Sequence, residues 1–460
     1  MRLFTAILLL APLASAQFYI RDQQYRFQAD QPECREYGFC AYEEHRFGDH
    51  HDFSLNFIEV KGDGTFFDQR QLDSALDQIE KASFKDPATG EPRQKPLVFI
   101  YIHGWHNNAE ERENSASAAC PNLTGDVAKF RDCGLPILAS DYPTKEGAPP
   151  AVVGIYLAWH GTDFTPAGVV TYIVPSYMLR RYAANHVGQT GMCNAVGQIL
   201  DKAKDRQKYV VALMGHSFGA RVLENALQVI APNGKCADNP LMRYRQRIAK
   251  ITGQPDTPAL SPDVVNATAP ADLIFYINAA APNTFTRKTI NAWNSSCPKG
   301  GVTDYAICSA NPFYVSVTSH TDFATGLVMP IANIAFFWWP VSLKPPNFEI
   351  TPLSAANTPW MHTHHDPKDL KAHPCPPAKP NAVCFSVQIA SKGPSVYIEN
   401  YDIEPLRDKK YLFWIMNLGH YFSRNHGDVW NPKIFSMVHA LLQHNDNYIR
   451  ARRQNLAGAP

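Results

Sequence analysis

Three continuous apolar runs constrain this chain more than any other feature: Pro96-Leu-Val-Phe-Ile-Tyr-Ile, Ala151-Val-Val-Gly-Ile-Tyr-Leu-Ala-Trp and Tyr209-Val-Val-Ala-Leu-Met. Each has strand length and no polar alternation, so both of its faces must be buried, as in a parallel sheet covered by helices on both sides. A stretch of helical character, Met178 to Lys204, lies between the last two. Strands alternating with helices give an α/β chain with a mostly parallel, doubly wound sheet, its crossovers right-handed.

Further elements fit that rhythm. Phe53-Ser-Leu-Asn-Phe-Ile-Glu-Val alternates like a strand, Lys61-Gly-Asp-Gly makes a turn, and Gln71 to Ala82 has helical spacing. Ala271 to Asn278, Phe313 to Thr318 and Tyr411 to Met416 supply three more strands. A closing helix runs from Pro432 to Gln443, with Asn431 as N-cap and proline at the first position. Residues 17–52, polar and carrying two cysteines, are expected to form a stapled extension outside the core. The core is then expected over 53–325 and 384–460, with 326–383, rich in Pro and His, as a cap-like insertion before the last strand. Within the final part, Cys384–Ala390 and Ser395–Asn400 resemble an antiparallel hairpin.

The compartment is read from the N-terminus. Arg2 precedes an apolar run, Leu3 to Leu13, that ends in Ala14-Ser15-Ala16, the pattern of a signal peptide over residues 1–16. The run is too short to span a bilayer, so the chain is expected to be secreted, with no transmembrane segment. The ten cysteines then read as disulfides. Neighbour pairing (34/40, 120/133, 193/236, 297/308, 375/384) is the simplest pattern, although sequence leaves connectivity open. Asn122, Asn266 and Asn294 begin glycosylation sequons. Lys and Arg number 43 against 42 Asp and Glu, so bulk charge draws the chain to no nucleic acid, and none is expected as a partner.

The chemistry centres on Gly215-His-Ser-Phe-Gly219, which begins where the third apolar run ends and leads into a helical run, Ala220 to Gln228. A serine on so tight a strand-to-helix turn sits in strained backbone that exposes its Oγ at the positive end of the helix. The plain alternative is an ordinary turn with a buried serine. Acyl transfer also needs donors where negative charge develops. The N–H of Phe218, just after Ser217, is one candidate. Trp105, in the His103-Gly104-Trp105 loop that ends an earlier strand, is the other.

With these motifs in this order, the chain resembles the α/β-hydrolase superfamily, in particular its lipase and esterase branch, from about Phe53 to the C-terminus. The resemblance implies a serine hydrolase that cleaves a carboxylic ester through an acyl-enzyme, with no cofactor and no metal, acting on a small or lipid-like ester. It also implies a triad in the order Ser, acid, His. Ser217 is the nucleophile. Asp322, the carboxylate close behind the strand Phe313–Thr318, is the acid. His426, in Asn425-His-Gly-Asp-Val-Trp430 after the last strand, is the base, with His420 as its competitor. Gly326–Leu343, with Phe336-Phe-Trp-Trp339, is apolar but broken by Pro330, Asn333 and Pro340; its aromatics either fill core or, as part of a lid, line the acyl pocket or face a lipid-like surface, and the second reading favours apolar acyl groups.

Two rival classes remain on the sequence. Clusters at His45, Asp49, His50, His51, Asp52 and at His362, His364, His365, Asp366, His373 suggest metal, but neither has the two-His helical spacing of a zinc site. A non-catalytic secreted binding protein on the same fold would require a missing triad member or oxyanion donor, and none is missing.

Overall fold

Alternation along each strand decides which face of the sheet a side chain meets. In Leu97–Ile102, Leu97, Phe99 and Tyr101 join one buried cluster while Val98, Ile100 and Ile102 join another. Nothing in the run reaches solvent, as an uninterrupted apolar strand requires. The computed structural model describes residues 22–49, 51–85, 88–90, 94–105, 107–110, 125–161, 173–205, 208–227, 271–286, 314–319, 322, 324–330, 368–369, 387–388, 395–397, 413–417, 426–430 and, within 434–443, all but 436 and 440. The expected signal segment, the three sequons, His420, the His362–His373 cluster and Trp338 and Trp339 lie outside the described residues.

The strands are β1 (Tyr42–His45), β2 (Phe53–Val60), β3 (Leu97–Ile102), β4 (Val152–Trp159), β5 (Val210–His216), β6 (Leu273–Ile277), β7 (Tyr314–Thr318), β8 (Lys368–Asp369), β9 (Val387–Gln388), β10 (Ser395–Tyr397) and β11 (Phe413–Asn417). Eight of them form one sheet in the order β1-β2-β4-β3-β5-β6-β7-β11, parallel throughout except for the edge pair β1–β2. The chain is therefore of the α/β class. A separate antiparallel sheet, β8-β10-β9, contains the hairpin expected near the C-terminus.

Helices are α1 (Pro32–Tyr37), α2 (Gln69–Ala82), α3 (Asp126–Lys129), α4 (Leu135–Ala139), α5 (Ile173–Gln189), α6 (Gly191–Lys202) and α7 (Phe218–Leu227), with a π-turn Phe130–Gly134 joining α3 to α4. One face of the sheet packs against α2, α5, α6 and α7, through residues such as Leu72, Val187, Val196 and Leu223. The other packs against α3, α4 and the helical residues of 434–443, through Val127, Leu138, Phe435 and Val438. Among the described residues no helix is long and apolar enough to cross a membrane.

The stretch 17–52 differs from the expectation. Its residues 42–45 are the edge strand of the main sheet, paired in register with Asn56 to Phe53. Ahead of it, Arg26 is fully buried. Its guanidinium lies 3.9 Å over the Phe57 ring and donates to Ala109 O (2.9 Å) and to Glu43 (2.8 Å), while its backbone N–H donates to Glu59 (2.9 Å). An edge strand exposes one side and so carries no apolar pattern, which is why Tyr42-Glu-Glu-His looked like extension rather than core. Cys34 and Cys40 are joined as expected; Cys133 and Cys193 each take part in a disulfide as well, and no described cysteine is free. The helical stretch 178–204 is two helices, broken at Thr190, whose backbone leaves the helical region (φ −122°, ψ −104°).

Candidate active site

Ser217 occupies the single residue between β5 and α7, with φ +53°, a left-handed conformation that costs a non-glycine residue about 1–2 kcal/mol. Its surroundings hold it there: Ser217 N–H donates to Ile277 O (3.0 Å), and Ala280 N–H donates to Ser217 O (3.0 Å). The turn can be this tight only because Gly219 lacks a side chain. A Cβ there would lie 2.1 Å from Ile102 O and 2.4 Å from His103 O, both backbone atoms at the end of β3.

The other two nominated triad members meet at this serine. His426 Nε2 is 2.8 Å from Ser217 Oγ, and His426 Nδ1 is 2.9 Å from Asp322 Oδ1. The Asp322 side chain is fully buried and that of His426 is 27% exposed, so the site opens towards solvent at the imidazole. Asp322 follows β7 and caps the turn that begins at Ala324. It accepts from Ala324 N–H (3.0 Å), Thr325 N–H (3.1 Å) and the Thr325 hydroxyl. Burial pushes its carboxyl up, but the bonds from His426 and Thr325 outweigh that and hold it below the ordinary carboxylate value. At neutral pH it is ionised and opposes the imidazole.

Of the two nominated oxyanion residues, Phe218 directly follows Ser217 and Trp105 lies in the loop after β3. Phe218 is the first residue of α7, and its ring meets that of Trp105 edge-on with centroids 6.0 Å apart. Gly104 runs directly against Ser217: a Cβ there would lie 3.0 Å from Ser217 Cβ. His103 fixes this loop from behind. It is buried, its Nε2 accepts from Trp159 N–H (3.1 Å), and its Nδ1–H therefore donates to Gly104 O (2.8 Å). Burial lowers the His103 imidazole to about 4, so it stays neutral and the Gly104–Trp105 peptide keeps one orientation.

The segment carrying His426 is anchored through Trp430. Its Nε1–H donates to Asp126 at 2.6 Å, and Asp126 also accepts from the Tyr101 hydroxyl at 2.8 Å. The Trp430 ring packs edge-on against Tyr101 at 4.5 Å. Trp430→Phe keeps an aromatic ring but deletes the donor and part of the buried indole, and the lost hydrogen-bond partner of Asp126 alone costs about 1–3 kcal/mol. The expected result is a melting temperature lowered by a few degrees. A thermal melt measures it.

Two residues at the site were not nominated from sequence. His216 Nε2–H donates to the backbone carbonyl of His426 (2.9 Å), and Asn278 Nδ2 donates to the same oxygen (3.1 Å). His216 stood inside the serine motif and Asn278 at the end of a recognised strand, but periodicity carries no sign of a bond to a carbonyl 210 or 148 residues away. At the N-terminal histidine cluster, His45 pairs with Glu43 (3.2 Å) and Asp52 with Arg46 (2.9 Å), both outside the cluster, while Asp49 accepts from the backbone N–H of His51 (3.3 Å). Among the described residues no group of three or more His, Cys, Asp or Glu side chains is placed to hold a metal ion. No protein-family model matches the chain, and no curated protein or solved structure matches it either.

Proposed function

We propose that this chain is a serine hydrolase of the α/β-hydrolase fold, lipase- or esterase-like, that cleaves carboxylic esters through an acyl-enzyme on Ser217. The observation that carries the reading is the continuous hydrogen-bonded line from Ser217 Oγ through His426 to buried Asp322, at 2.8 and 2.9 Å. In that line Nδ1–H of His426 donates to Asp322, which leaves Nε2 bare to accept the serine proton. Oγ attacks the ester carbonyl as its proton passes to Nε2, and Asp322 stabilises the imidazolium that results. The negative oxygen of the tetrahedral intermediate is held by the N–H groups of Phe218 and Trp105. Collapse expels the alcohol, which takes the proton back from Nε2. Water, activated by the same imidazole, then releases the acid and regenerates Ser217.

Further support comes from where the parts stand. Ser217, Asp322 and His426 follow β5, β7 and β11, so all three sit beyond the carboxyl ends of parallel strands, where open α/β sheets bind ligands. The disulfide-bonded cysteines fit the expected export to an oxidising compartment. Residues 326–383 are the proposed cap and a source of apolar acyl contacts. A fluorophosphonate probe should label the mature protein on Ser217 and leave Ser217→Ala unlabelled. Absence of labelling in the folded protein, or labelling at another serine, would overturn the reading. A panel of nitrophenyl esters of increasing acyl length tests the apolar preference.

A further inference from the structure

His426 is carried by a turn, not by a helix or strand. A single bond from Asp322 to one ring nitrogen does not by itself stop the backbone beneath the imidazole from shifting. What meets that backbone is a pair of donors on one oxygen: His216 Nε2–H at 2.9 Å and Asn278 Nδ2 at 3.1 Å, both to His426 O. We propose that His216 and Asn278 are positioning residues that clamp the His426 carbonyl and thereby set the distance between the imidazole and Ser217 Oγ. The proposal rests on the hydrolase reading and deepens it.

The clamp is built from the strand ends that already carry the site. His216 is the last residue of β5 and precedes Ser217, so one strand end fixes both the nucleophile and the backbone of its base. Asn278 follows β6 with φ +47°, a left-handed conformation that asparagine tolerates better than most residues. Its N–H donates to Val317 O (2.9 Å), and its Oδ1 accepts from the Thr318 hydroxyl (3.3 Å), which turns the amide nitrogen towards His426. Val317 and Thr318 end β7, the strand that leads to Asp322. The two donors therefore tie the turn bearing His426 to the ends of β5, β6 and β7.

His216 is suited to a role that must not change during turnover. It is buried, and that burial, with the neighbouring His426, lowers its imidazole to about 3. It stays neutral when His426, with ring centroids 4.9 Å away, takes up the serine proton. Its one proton must be on Nε2, because that nitrogen faces a carbonyl. Nδ1 is then a bare lone pair with no hydrogen-bond partner among the described residues, set against Gly104, where an added Cβ would come within 2.9 Å.

The test uses His216→Phe, which removes the donor but keeps a ring, His216→Gln, whose amide nitrogen can stand where Nε2 stands, and Asn278→Gly, which tolerates the left-handed backbone without the amide. Kinetics on nitrophenyl acetate should show kcat lowered by about tenfold or more in His216→Phe and Asn278→Gly, with KM within about twofold, because a base misplaced by a fraction of an ångström loses turnover rather than binding. His216→Gln should recover most of the loss. The low-field proton resonance of the His426 Nδ1–H bonded to Asp322 should be present in wild type and His216→Gln and broadened or absent in the other two. Unchanged kcat in folded His216→Phe and Asn278→Gly, or a loss in His216→Gln as large as in His216→Phe, would overturn the clamp while fluorophosphonate labelling of wild-type Ser217 still upheld the hydrolase. A wild-type protein that neither labels nor hydrolyses would overturn both. Thermal melts identify a variant that has merely unfolded, and the other position then decides.

Discussion

Ser217→Ala is expected to lower kcat/KM by about 10⁴-fold or more while the melting temperature stays within a few degrees of wild type. In the proposed mechanism the hydroxyl oxygen bonds to the acyl carbon, so its loss removes the covalent route and leaves only oxyanion stabilisation and binding. Stability should hold because alanine occupies the same left-handed position and the backbone bonds to Ile277 and from Ala280 need no side chain. Members of one triad act as a unit: Ser217→Ala/His426→Ala should be hardly worse than Ser217→Ala alone, and Asp322→Asn should cost least of the three. If the single losses multiply, the residues do not act in one proton-transfer line.

The second large effect is expected at Gly219. In Gly219→Ala the new methyl would lie 2.1 and 2.4 Å from two backbone carbonyl oxygens, of Ile102 and His103, which no rotamer change can relieve. Overpacking of this kind costs about 1–3 kcal/mol, and more where backbone must move. What must move is the start of the loop that bears Gly104 and Trp105, along with the turn that strains Ser217. The expected outcome is poor yield, a clearly lowered melting temperature and, in whatever folds, activity down by about 10²-fold or more, since small misplacements of reacting groups are costly. Gly62→Ala is the control, because its Cβ would meet only ordinary contact, 3.6 Å from Asp22 Oδ1, and should change neither property. A stable, active Gly219→Ala enzyme would show that the turn is looser than described.

Why parts of this molecule could be read from its sequence and others not follows from where each residue gets its energy. β3, β4 and β5 are buried on both faces, so hydrophobicity alone marks them, and their observed bounds differ from the apolar runs by a residue or two. β1 is an edge strand whose pairing is backbone to backbone, which leaves its side chains free to be polar and its sequence uninformative. Ser217 was legible because the chemistry of a strained turn demands glycine at 219, whereas His426 could be preferred over His420 only by position in the chain order. Asp322 stood out because it is the carboxylate just behind a core strand. The His216 and Asn278 bonds to the His426 carbonyl were invisible, since they depend on three loops meeting in space and on a left-handed asparagine that no pattern announces. The same holds for Asp126 and Trp430, brought together at 2.6 Å across most of the chain.

The most direct test of the account is to trap the intermediate it requires. Wild-type protein turning over a nitrophenyl ester is quenched in acid within the first turnovers, digested and mapped by mass spectrometry. The expected result is a substrate-derived acyl group on the peptide containing Ser217, accumulating with a burst of nitrophenol and absent from Ser217→Ala. Ester hydrolysis that proceeds with no acyl group on Ser217, or that persists at the wild-type rate in Ser217→Ala, would contradict it.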